Sequence, residues 1–560
     1  MHGRLKVKTT AEQQEAKRKE REKKLLLYTG ATKKIFQKRT DGENDQEALN
    51  ISGEILSANP DFYTLWNIRK EVLTHLINNE MSEDDLQSLQ QTELHFLEQC
   101  LKVNPKSYGT WQHRCWVMDN LGTPNWNREL MLCNKFLEYD ERNFHCWDYR
   151  RFVVARANVL PKDELAFTDQ KIGTNFSNFS SWHYRTKLLP QVHPDENNQV
   201  GVQEEFLQKE FELVQNAFFT DPSDQSAWFY HRWLLGRGKR DLTIDLLYVN
   251  KQHNRIVITL SKPVQIGVDC TVTLKINQQT VEAAEWKSCS STAYPCEVWT
   301  CNVGSYLTDN QCECLVSVAV DDNIRNVSVS ETASEVWSKD LILPGTLFSL
   351  EMSAATNSVL TQELESCQQL AELEPDHKWT MLTIISLMKA LDPLKYEQEM
   401  LEYFDTLIKV DPYRTNYYED LRSKYLIENS IETLSPENRK IDLNGKNLTG
   451  IYHPEHLALC THVDLSQNRI SSLKNVNLIA CVQELNLEGN QLSSVCDVEG
   501  LQFLQKINLK NNHIVEVDSL KSLTRCPQLL LVELGGNPVC DVSDFKRKMS
   551  ELLPEVNWTV

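Results

Sequence analysis

Five segments in the first half of the chain share one design, and this repeat constrains the fold more than any other feature of the sequence. In four of them an Arg follows a Trp three residues later: these are Trp66 and Arg69, Trp111 and Arg114, Trp147 and Arg150, and Trp182 and Arg185. The fifth copy departs from this pattern, because Trp228 is followed by His231 at that place and by Arg232 one residue later. A unit that recurs in this way predicts a repeat architecture.

The copy NPKSYGTWQHR, Asn104 to Arg114, shows why the design favours a helix. A side-chain oxygen of Asn104 can accept hydrogen bonds from the unpaired N–H groups of a helix start, and Pro105 has no N–H to leave unpaired. We therefore expect a helix to begin at Asn104. Residues three apart share one helix face, so Trp111 can fill a gap between helices while Arg114 bonds a neighbouring helix end or carboxylate.

A second amphipathic segment precedes each copy, as Thr92 to Val103 does before Asn104. Successive Trp residues lie 45, 36, 35 and 46 positions apart, which is a period typical of stacked helix pairs. Tetratricopeptide arrays have a similar period, but these copies lack the Leu-Gly pair and the Tyr that such repeats place after the Trp. The pattern predicts helical hairpins over residues 28–242, in a domain that spans residues 1–242 and includes a mobile N-terminal arm.

Alternating apolar residues replace the helical pattern after residue 242. Five runs read as strands: residues 255–260, 271–276, 297–303, 314–320 and 326–330. Several short strands at this spacing predict an antiparallel β-sandwich over residues 243–346, with an immunoglobulin-like architecture. A helical pattern resumes at Leu347 and continues over residues 347–437, with a further helix opening at Asp411. The sandwich is therefore expected to interrupt a mainly helical chain.

A second repeat fills the C-terminal part, residues 438–560. Its strand-like segments lead to an Asn and an apolar residue; Lys446 holds this place in the first copy, and the later copies have Asn468, Asn490, Asn512 and Asn537. Buried Asn side chains of this kind satisfy main-chain groups where the chain turns, as in leucine-rich repeats. The strand face is expected to be an exposed binding surface whose ligand the sequence does not reveal.

The charge and hydropathy of the 560-residue chain limit its partners. A formal net charge of -19 argues against a nucleic-acid surface, and no apolar run reaches the roughly 20 residues of a membrane span. We therefore expect a cytoplasmic protein without an integral membrane segment. Residues 11–27 are expected to form a charged helix. The arm before it carries His2, for which disorder and contact with a metal in a partner's site both stay open.

Six of the sixteen cysteines fall between Cys270 and Cys314. No signal peptide is apparent, so free buried thiols are favoured over disulfides. The spacings do not form a zinc site, since a single residue separates Cys312 from Cys314 and no CxxC pair occurs. No metal is expected on this chain alone.

Four residues in adjacent repeats have side chains that the helical hairpins do not need for folding: Lys106, Tyr108, Phe144 and His145. Lys106 is expected in the first turn of its helix, where a second positive charge is unfavourable unless an anion such as a diphosphate docks. A Lys, a phenol and an imidazole that converge can bond the oxygens of a departing diphosphate. The alternative stays open that the Lys is solvated and that the Tyr and His fill a helical junction.

The Trp-x-x-Arg copies resemble the repeat of protein prenyltransferase alpha subunits. Aligned on the Trp, NPKSYGTWQHR and DERNFHCWDYR resemble the family repeats that face an isoprenoid diphosphate. The resemblance implies substrate-binding roles for Lys106, Tyr108, Phe144 and His145, and catalytic roles for Lys106 and His145. Phe144 stands where farnesyl-type subunits have Tyr, so one hydroxyl contact is absent. The Trp residues and their Arg partners, with Arg232 in the fifth copy, are expected to be core and inter-helix scaffold.

Hairpin repeats, a sandwich insert and leucine-rich repeats together resemble the Rab geranylgeranyltransferase branch of this family. The resemblance implies a crescent of hairpins around a separate beta subunit that carries a catalytic Zn²⁺. It also implies transfer of geranylgeranyl from geranylgeranyl diphosphate to C-terminal cysteines of Rab GTPases, presented by a Rab escort protein, in vesicular transport. Two alternatives remain: a non-catalytic scaffold, and an alpha subunit of CaaX type with appended domains.

Overall fold

The structure is a computed structural model. It describes residues 11–78, 81–196, 201–236, 241–282, 284–290, 295–307, 313–330, 332–339, 347–348, 357–435 and 437–560. The N-terminal arm with His2 lies outside the described residues. The chain divides into two compact units, Met1–Pro194 and Asp195–Val560. None of the helices in the described ranges is both long enough and apolar enough to cross a membrane.

The described part of unit 1, Met1–Pro194, is built from helices. They are α1 (Ala11–Thr40), α2 (Gln46–Ala58), α3 (Tyr63–Ile77), α4 (Glu83–Val103), α5 (Tyr108–Asn120), α6 (Trp126–Tyr139), α7 (Phe144–Ala157), α8 (Pro161–Thr174) and α9 (Phe179–Val192). From α2 onward they pack in consecutive pairs, so the predicted helical hairpins are confirmed. The charged helix expected over residues 11–27 is longer and reaches Thr40.

The second helix of the central hairpin begins later than the sequence predicted. Asn104 does not cap α5: its backbone N–H bonds to the Cys100 carbonyl at the end of α4, and its Oδ1 accepts from the N–H of Lys106 at 3.1 Å. The hydroxyl of Ser107 caps α5, which starts at Tyr108. Lys106 therefore lies in the turn before the helix, because the Asn side chain closes a local turn instead of starting a helix.

Each repeat Trp locks the turn that precedes its helix. All five indole rings are buried, and each Nε1–H donates to the carbonyl oxygen six residues earlier. The pairs are Trp66 to Pro60 (2.8 Å), Trp111 to Pro105 (2.8 Å), Trp147 to Glu141 (2.8 Å), Trp182 to Phe176 (2.6 Å) and Trp228 to Pro222 (2.8 Å). The ring thus fills the hairpin interior and satisfies a turn carbonyl with the same side chain.

Three repeat arginines form buried ion pairs with a Glu in the first helix of the next hairpin. The pairs are Arg69 with Glu93 (2.5 Å), Arg114 with Glu129 (2.6 Å) and Arg150 with Glu164 (2.5 Å). Arg185 is also buried and contacts Asp169 at 2.6 Å. These acids were not predicted, although each Glu stands 18 residues before the next repeat Trp.

The fifth copy, in unit 2, places a histidine where the others have arginine. It lies in the hairpin of α10 (Glu204–Thr220) and α11 (Gln225–Leu234). His231 is buried, and its Nε2 is 2.7 Å from Oε2 of Glu363. Arg232 is not part of the core, because the shift of one residue turns its side chain to the exposed face of the helix, but it contacts another helix through Oγ of Ser386 at 3.5 Å.

Strands follow this hairpin in unit 2, Asp195–Val560. Those in the described residues are β1 (Ile244–Asn250), β2 (Arg255–Val264), β3 (Val272–Ile276), β4 (Gln279–Thr280), β5 (Trp286–Ser288), β6 (Cys296–Asn302), β7 (Glu313–Val320), β8 (Asn323–Ser330) and β9 (Glu335–Lys339). They form two antiparallel sheets, in the orders β5-β6-β2-β1-β9 and β4-β3-β7-β8. The structure contains the five predicted strands, whereas β1, β4, β5 and β9 were not predicted. Every cysteine in the described residues is free, and Cys312 lies outside them.

Helices resume after the sheets. They are α12 (Asn357–Leu373), α13 (Lys378–Leu391), α14 (Glu397–Val410) and α15 (Thr415–Glu432). Leu347 and Phe348 lie in a turn instead of the expected helix, and the helix is described from Asn357 onward. The helix expected from Asp411 opens with a 3-10 turn, Pro412–Arg414, and extends to Glu432. The β-rich segment therefore stands between helical segments of the chain.

Residues 438–560 form an array of parallel strands, called here the strand array. Its elements are β10 (Lys440–Asp442), β11 (His462–Asp464), β12 (Glu484–Asn486), β13 (Lys506–Asn508), β14 (Leu531–Glu533), α16 (Phe545–Leu552) and β15 (Asn557–Thr559). The strands pair in chain order in one parallel sheet. The predicted Asn residues are buried, and Asn468 donates to the Leu443 carbonyl at 2.9 Å and accepts from the Leu448 N–H at 2.9 Å. Each such Asn joins consecutive turns of the array.

The strand β1 escaped prediction because it lies between two packed layers. Six of its seven residues are buried, and a strand covered on both faces shows a continuous apolar run instead of alternation. Its Tyr248 ring meets Phe503 of the strand array edge to face, with centroids 6.1 Å apart. An ion pair between Arg439 and Glu335 adds to this contact. The antiparallel sheets and the strand array therefore share one apolar core.

Candidate functional site

The turns before α5 and α7 lie side by side, and the four predicted site residues lie in the first of these turns or at the starts of the two helices. The side chain of Asn143, which caps α7, donates to the Pro105 carbonyl at 2.9 Å. Ser107, which caps α5, donates in the same way to Pro60 of the preceding turn at 3.0 Å. Each hairpin is thus bonded to the previous one through its turn, which fixes the spacing of the helix starts at this end of the array.

Tyr108, Phe144 and His145 form one aromatic cluster at this end. The rings of Tyr108 and His145 meet edge to face with centroids 4.2 Å apart, and the Phe144 ring lies 4.0 Å from His145 and 6.2 Å from Tyr108. Tyr108 is 69% exposed and Phe144 is 50% exposed, whereas His145 is 6% exposed. The cluster therefore presents an open aromatic surface with a largely covered imidazole at its base.

Lys106 supplies positive charge beside this cluster. Its side chain is mostly exposed, and its Nζ lies 3.0 Å from Oδ2 of Asp140 in the neighbouring turn. Burial lowers the pKa of His145, and the charge of Lys106 lowers it further, while the carboxylate of Asp148 opposes the shift. The lowered pKa favours the neutral imidazole of His145, in which one nitrogen donates and the other accepts.

This arrangement can bind a compact anion such as a phosphate group. Lys106 offers an ammonium group, Tyr108 a hydroxyl and His145 a ring N–H, and the aromatic rings offer apolar surface beside them. To reach the ammonium group of Lys106, an anion would compete with the carboxylate of Asp140. The Lys106–Asp140 pair also fits a structural role that joins two turns, but an exposed pair of this kind contributes only about 0–1 kcal/mol to stability.

Three exposed residues at the same end of the hairpins were not predicted: Tyr63, Arg142 and Phe179. Tyr63 and Phe179 start α3 and α9, just as Tyr108 and Phe144 start α5 and α7. The signal was present, since an aromatic residue stands three positions before the Trp in each of the first four copies. Arg142 is exposed and occupies in its turn the position that Lys106 has in the turn before.

Metal-binding geometry occurs at another place in the chain. Among the described residues, the ligand atoms of His453, Glu455 and His456 all lie within 4.8 Å of one another. These residues belong to unit 2. The cysteine spacings on which the sequence expectation rested give no sign of this group.

Two family models match the chain. The model of the protein prenyltransferase alpha subunit repeat matches residues 45–76, 91–121, 126–157, 161–192 and 207–238. The model of the Rab geranylgeranyl transferase alpha-subunit insert domain matches residues 244–342. The first set of matches coincides with the five hairpins that carry the repeat Trp, and the second coincides with the two antiparallel sheets.

Curated relatives match over the whole chain. Geranylgeranyl transferase type-2 subunit alpha of Bos taurus is 48% identical over 100% of this chain and 99% of its own length, and the same values hold for the Homo sapiens protein. The Dictyostelium discoideum protein of the same name is 38% identical over 42% of this chain and 75% of its own length.

Among solved structures, the Candida albicans protein geranylgeranyltransferase-I complexed with GGPP covers 71% of this chain and 90% of its own chain, at 16% identity. The TM-score of 0.40 is too low for structural detail to be carried over. The family assignment rests on the full-length relatives and not on this structural comparison. Identity near one half over the entire length of both proteins, with the repeat and insert models in place, means that this chain belongs to the family of geranylgeranyl transferase type-2 alpha subunits.

Proposed function

We propose that this chain is the alpha subunit of a heterodimeric protein geranylgeranyltransferase of type II, a transferase that is active only with its beta subunit. The enzyme transfers geranylgeranyl from geranylgeranyl diphosphate to C-terminal cysteines of Rab GTPases presented by a Rab escort protein. Family membership over the full chain supports this proposal. The observation that carries the site assignment is the convergence of Lys106, Tyr108 and His145 at two adjacent helix starts.

The cluster of Lys106, Tyr108, Phe144 and His145 receives the diphosphate in this proposal. Negative charge builds on the diphosphate as its bond to the isoprenoid carbon breaks. Donors fixed in place before the reaction stabilise that developing charge more than they stabilise the bound substrate, which is the condition for faster chemistry. Lys106 contributes charge, Tyr108 and His145 contribute hydrogen bonds, and Phe144 contributes apolar surface.

The beta subunit supplies the lipid pocket and a Zn²⁺ ion that lowers the pKa of the acceptor thiol. The exposed aromatic residues at the helix starts support a partner at this end of the hairpins, because large exposed rings gain most when a partner buries them. Tyr63 is 59% exposed and Tyr108 is 69% exposed.

The finer assignment of the other segments belongs to the same proposal. The antiparallel sheets are an immunoglobulin-like insert at residues 243–346, and the strand array at 438–560 is a leucine-rich repeat domain. The helical parts are residues 1–242 and 347–437. Sheet order and the buried Asn residues support these assignments. The proposed location is the cytoplasm, where Rab substrates meet their escort protein.

The direct test measures transfer of labelled geranylgeranyl to a Rab with its escort, by this chain co-expressed with its beta subunit. Lys106→Ala is expected to lower kcat/KM by about 100-fold or more, the usual effect of removing one group that stabilises transition-state charge. Lys135→Ala, which removes an exposed Lys on α6, is the matched control and should leave the rate unchanged.

Asp140→Asn separates the two roles open to Lys106, because it removes the negative charge beside Lys106 but keeps the Oδ1 that accepts from the Arg142 N–H at 3.1 Å. Activity persists in this variant if Lys106 serves the diphosphate, whereas it falls as in Lys106→Ala if the pair is needed to hold the turns. Full activity of Lys106→Ala contradicts the site assignment. A chain that binds no beta subunit points to the scaffold alternative, which the comparisons do not favour. A CaaX peptide that replaces the Rab as the better acceptor points to the CaaX alternative.

A further inference from the structure

Two imidazoles and a carboxylate at the start of the strand array have the composition of a metal site. His453, Glu455 and His456 form the one such group of ligand atoms in the described part of the chain. Oε1 of Glu455 lies 3.2 Å from Nδ1 of His453 and 3.9 Å from Nε2 of His456. Ligands of a tetrahedral Zn²⁺ lie about 3.3–3.4 Å apart when each bond is about 2.0–2.1 Å long. The observed separations therefore bracket the distance that the ion requires.

The local sequence brings these groups together. His453 has a φ of 54°, and the segment Pro454–Leu457 that follows it forms a 3-10 helix. The side chains of His453, Glu455 and His456 are 24%, 17% and 13% exposed. They are shielded enough to strengthen a charge interaction and open enough for an ion to enter.

A buried carboxylate holds His453 from its other side. Nε2 of His453 lies 3.1 Å from Oε1 of Glu428 on α15, and Glu428 is 3% exposed. Lys389 fixes this carboxylate through a contact of 2.8 Å to its Oε2. A histidine that donates its far N–H to a carboxylate keeps the lone pair of its near nitrogen for a metal, and metal-bound histidines commonly have such a partner.

The ring of His453 faces a carboxylate at each nitrogen. A neutral imidazole has one N–H, so it can donate to Glu428 or to Glu455 but not to both. The second contact needs either a second proton on the ring or a cation between Nδ1 and Glu455.

We propose that His453, Glu455 and His456 bind one Zn²⁺ ion, with Glu428 as the positioning residue for His453 and the fourth coordination position open to solvent. Imidazole and carboxylate donors in a tetrahedral set suit Zn²⁺. The ion joins the first turn of the strand array to α15, because the ligand His453 contacts Glu428 of that helix. This inference rests on the geometry of these residues and does not depend on the proposed function.

The test uses the full-length chain, stripped of metal with a chelator and then titrated with Zn²⁺, or with Co²⁺ for its visible absorption in tetrahedral coordination. The parent chain is expected to bind one equivalent, and His456→Gln is expected to bind none. Glu428→Gln should weaken Zn²⁺ binding by about 10- to 100-fold, which is the usual effect of removing a carboxylate that hydrogen-bonds to a metal-binding histidine. His462→Gln, on β11 and outside the group, is the matched control and keeps the parent affinity.

Elemental analysis of the complex with a beta subunit gives a second readout. His456→Gln should lower the zinc content by one ion per complex, whatever the beta subunit itself contains. Circular dichroism shows whether each variant is folded, and Glu455→Gln replaces His456→Gln if the latter is not. A folded parent chain that binds no Zn²⁺ overturns the proposal and leaves His453 as an imidazolium between two carboxylates. Equal binding by the parent and a folded ligand variant also overturns it.

Discussion

The hairpins of unit 1 and the strand array both bury one polar connection per repeat, but they use different chemistry. In the hairpins the connection is an ion pair between two side chains, as between Arg114 and Glu129 at 2.6 Å. In the strand array it is a neutral amide bonded to the main chain. Asn490 donates to the Leu465 carbonyl at 2.9 Å and accepts from the Ile470 N–H at 3.0 Å. Both devices set the spacing of repeats.

The difference lies in what each connection leaves behind when it is broken. Loss of one ion partner leaves a charge buried without compensation, whereas loss of an Asn leaves neutral main-chain groups. The ion pair also titrates, and the amide does not. In return, both members of an ion pair can be replaced together, while the main-chain partners of an Asn cannot be changed. The ion pair is therefore more sensitive than the Asn connection to a single substitution, but it can be replaced by a double substitution.

Glu129→Ala should have the largest effect. Arg114 is fully buried, and without Glu129 its charge loses its closest partner, so the free energy of unfolding should fall by about 3–5 kcal/mol. Denaturant unfolding followed by Trp fluorescence measures the change. Glu138→Ala, at an exposed position of the same helix, is the control and should change stability by less than about 0.5 kcal/mol. A loss no larger than that of the control would remove the contrast between the arrays.

Acid should weaken the hairpins and spare the amide connections. Burial alone would raise the pKa of Glu93, but the charge of Arg69 and the hydrogen bonds from His113 and Arg69 lower it from 4.5 to about 2. Because the folded-state pKa is depressed, this stabilisation is complete above about pH 4.5 and is lost as the pH falls towards 2, by about 3 kcal/mol in all.

Unfolding of the parent chain and of Glu93→Gln, compared at descending pH, checks this prediction. The difference in unfolding free energy between the two proteins should become smaller as the pH falls, because protonation removes the negative charge of Glu93, as the Gln substitution does. The corresponding gap for Asn490→Ala should stay constant over the same range. A gap for Glu93→Gln that does not change with pH would show that its carboxylate is not stabilised by folding.

Asn490→Ala should have an intermediate effect, a loss of about 1–3 kcal/mol. It leaves the Leu465 carbonyl and the Ile470 N–H without the amide that joins them, and both are neutral groups. Gln491→Ala, which removes an exposed amide at the next position, is the matched control. Chemical unfolding measures both variants. A cost as large as that of Glu129→Ala would mean that charge is not what makes the hairpin connection fragile.

The smallest effect is expected when a whole ionic connection is made apolar. In Arg114→Met with Glu129→Met and Tyr149→Phe, no buried charge remains, and the hydroxyl of Tyr149 that donates to Glu129 at 2.7 Å is removed as well. Replacement of buried ion pairs by apolar residues is often neutral or stabilising, so the triple variant should lie within about 1 kcal/mol of the parent. A loss equal to that of Glu129→Ala would show that packing, not the stranded charge, dominates the single variant.

Much of the fold could be predicted because its repeats are local patterns. The Trp spacing indicated hairpins, and Asn468, Asn490 and the later Asn residues indicated a strand array, since each depends on residues close in sequence. The start of α5 was misplaced because Asn104 has two local uses, a helix cap and a turn, and the sequence alone does not rank them. Arg232 is exposed, unlike the other repeat arginines, because a shift of one residue moves a side chain to another helix face.

The candidate site also combines features that the sequence predicted with contacts that it did not predict. Counting along the repeats was enough to predict that Lys106, Tyr108, Phe144 and His145 all lie within five residues before the Trp of two adjacent repeats. The contacts between helices could be read from the structure alone: Lys106 pairs with Asp140, the rings of Tyr108 and His145 touch, and each buried Arg meets a particular Glu. Such pairings join residues from separate helices, and their partners are chosen by packing and by the cost of burying charge, which no single segment of sequence contains.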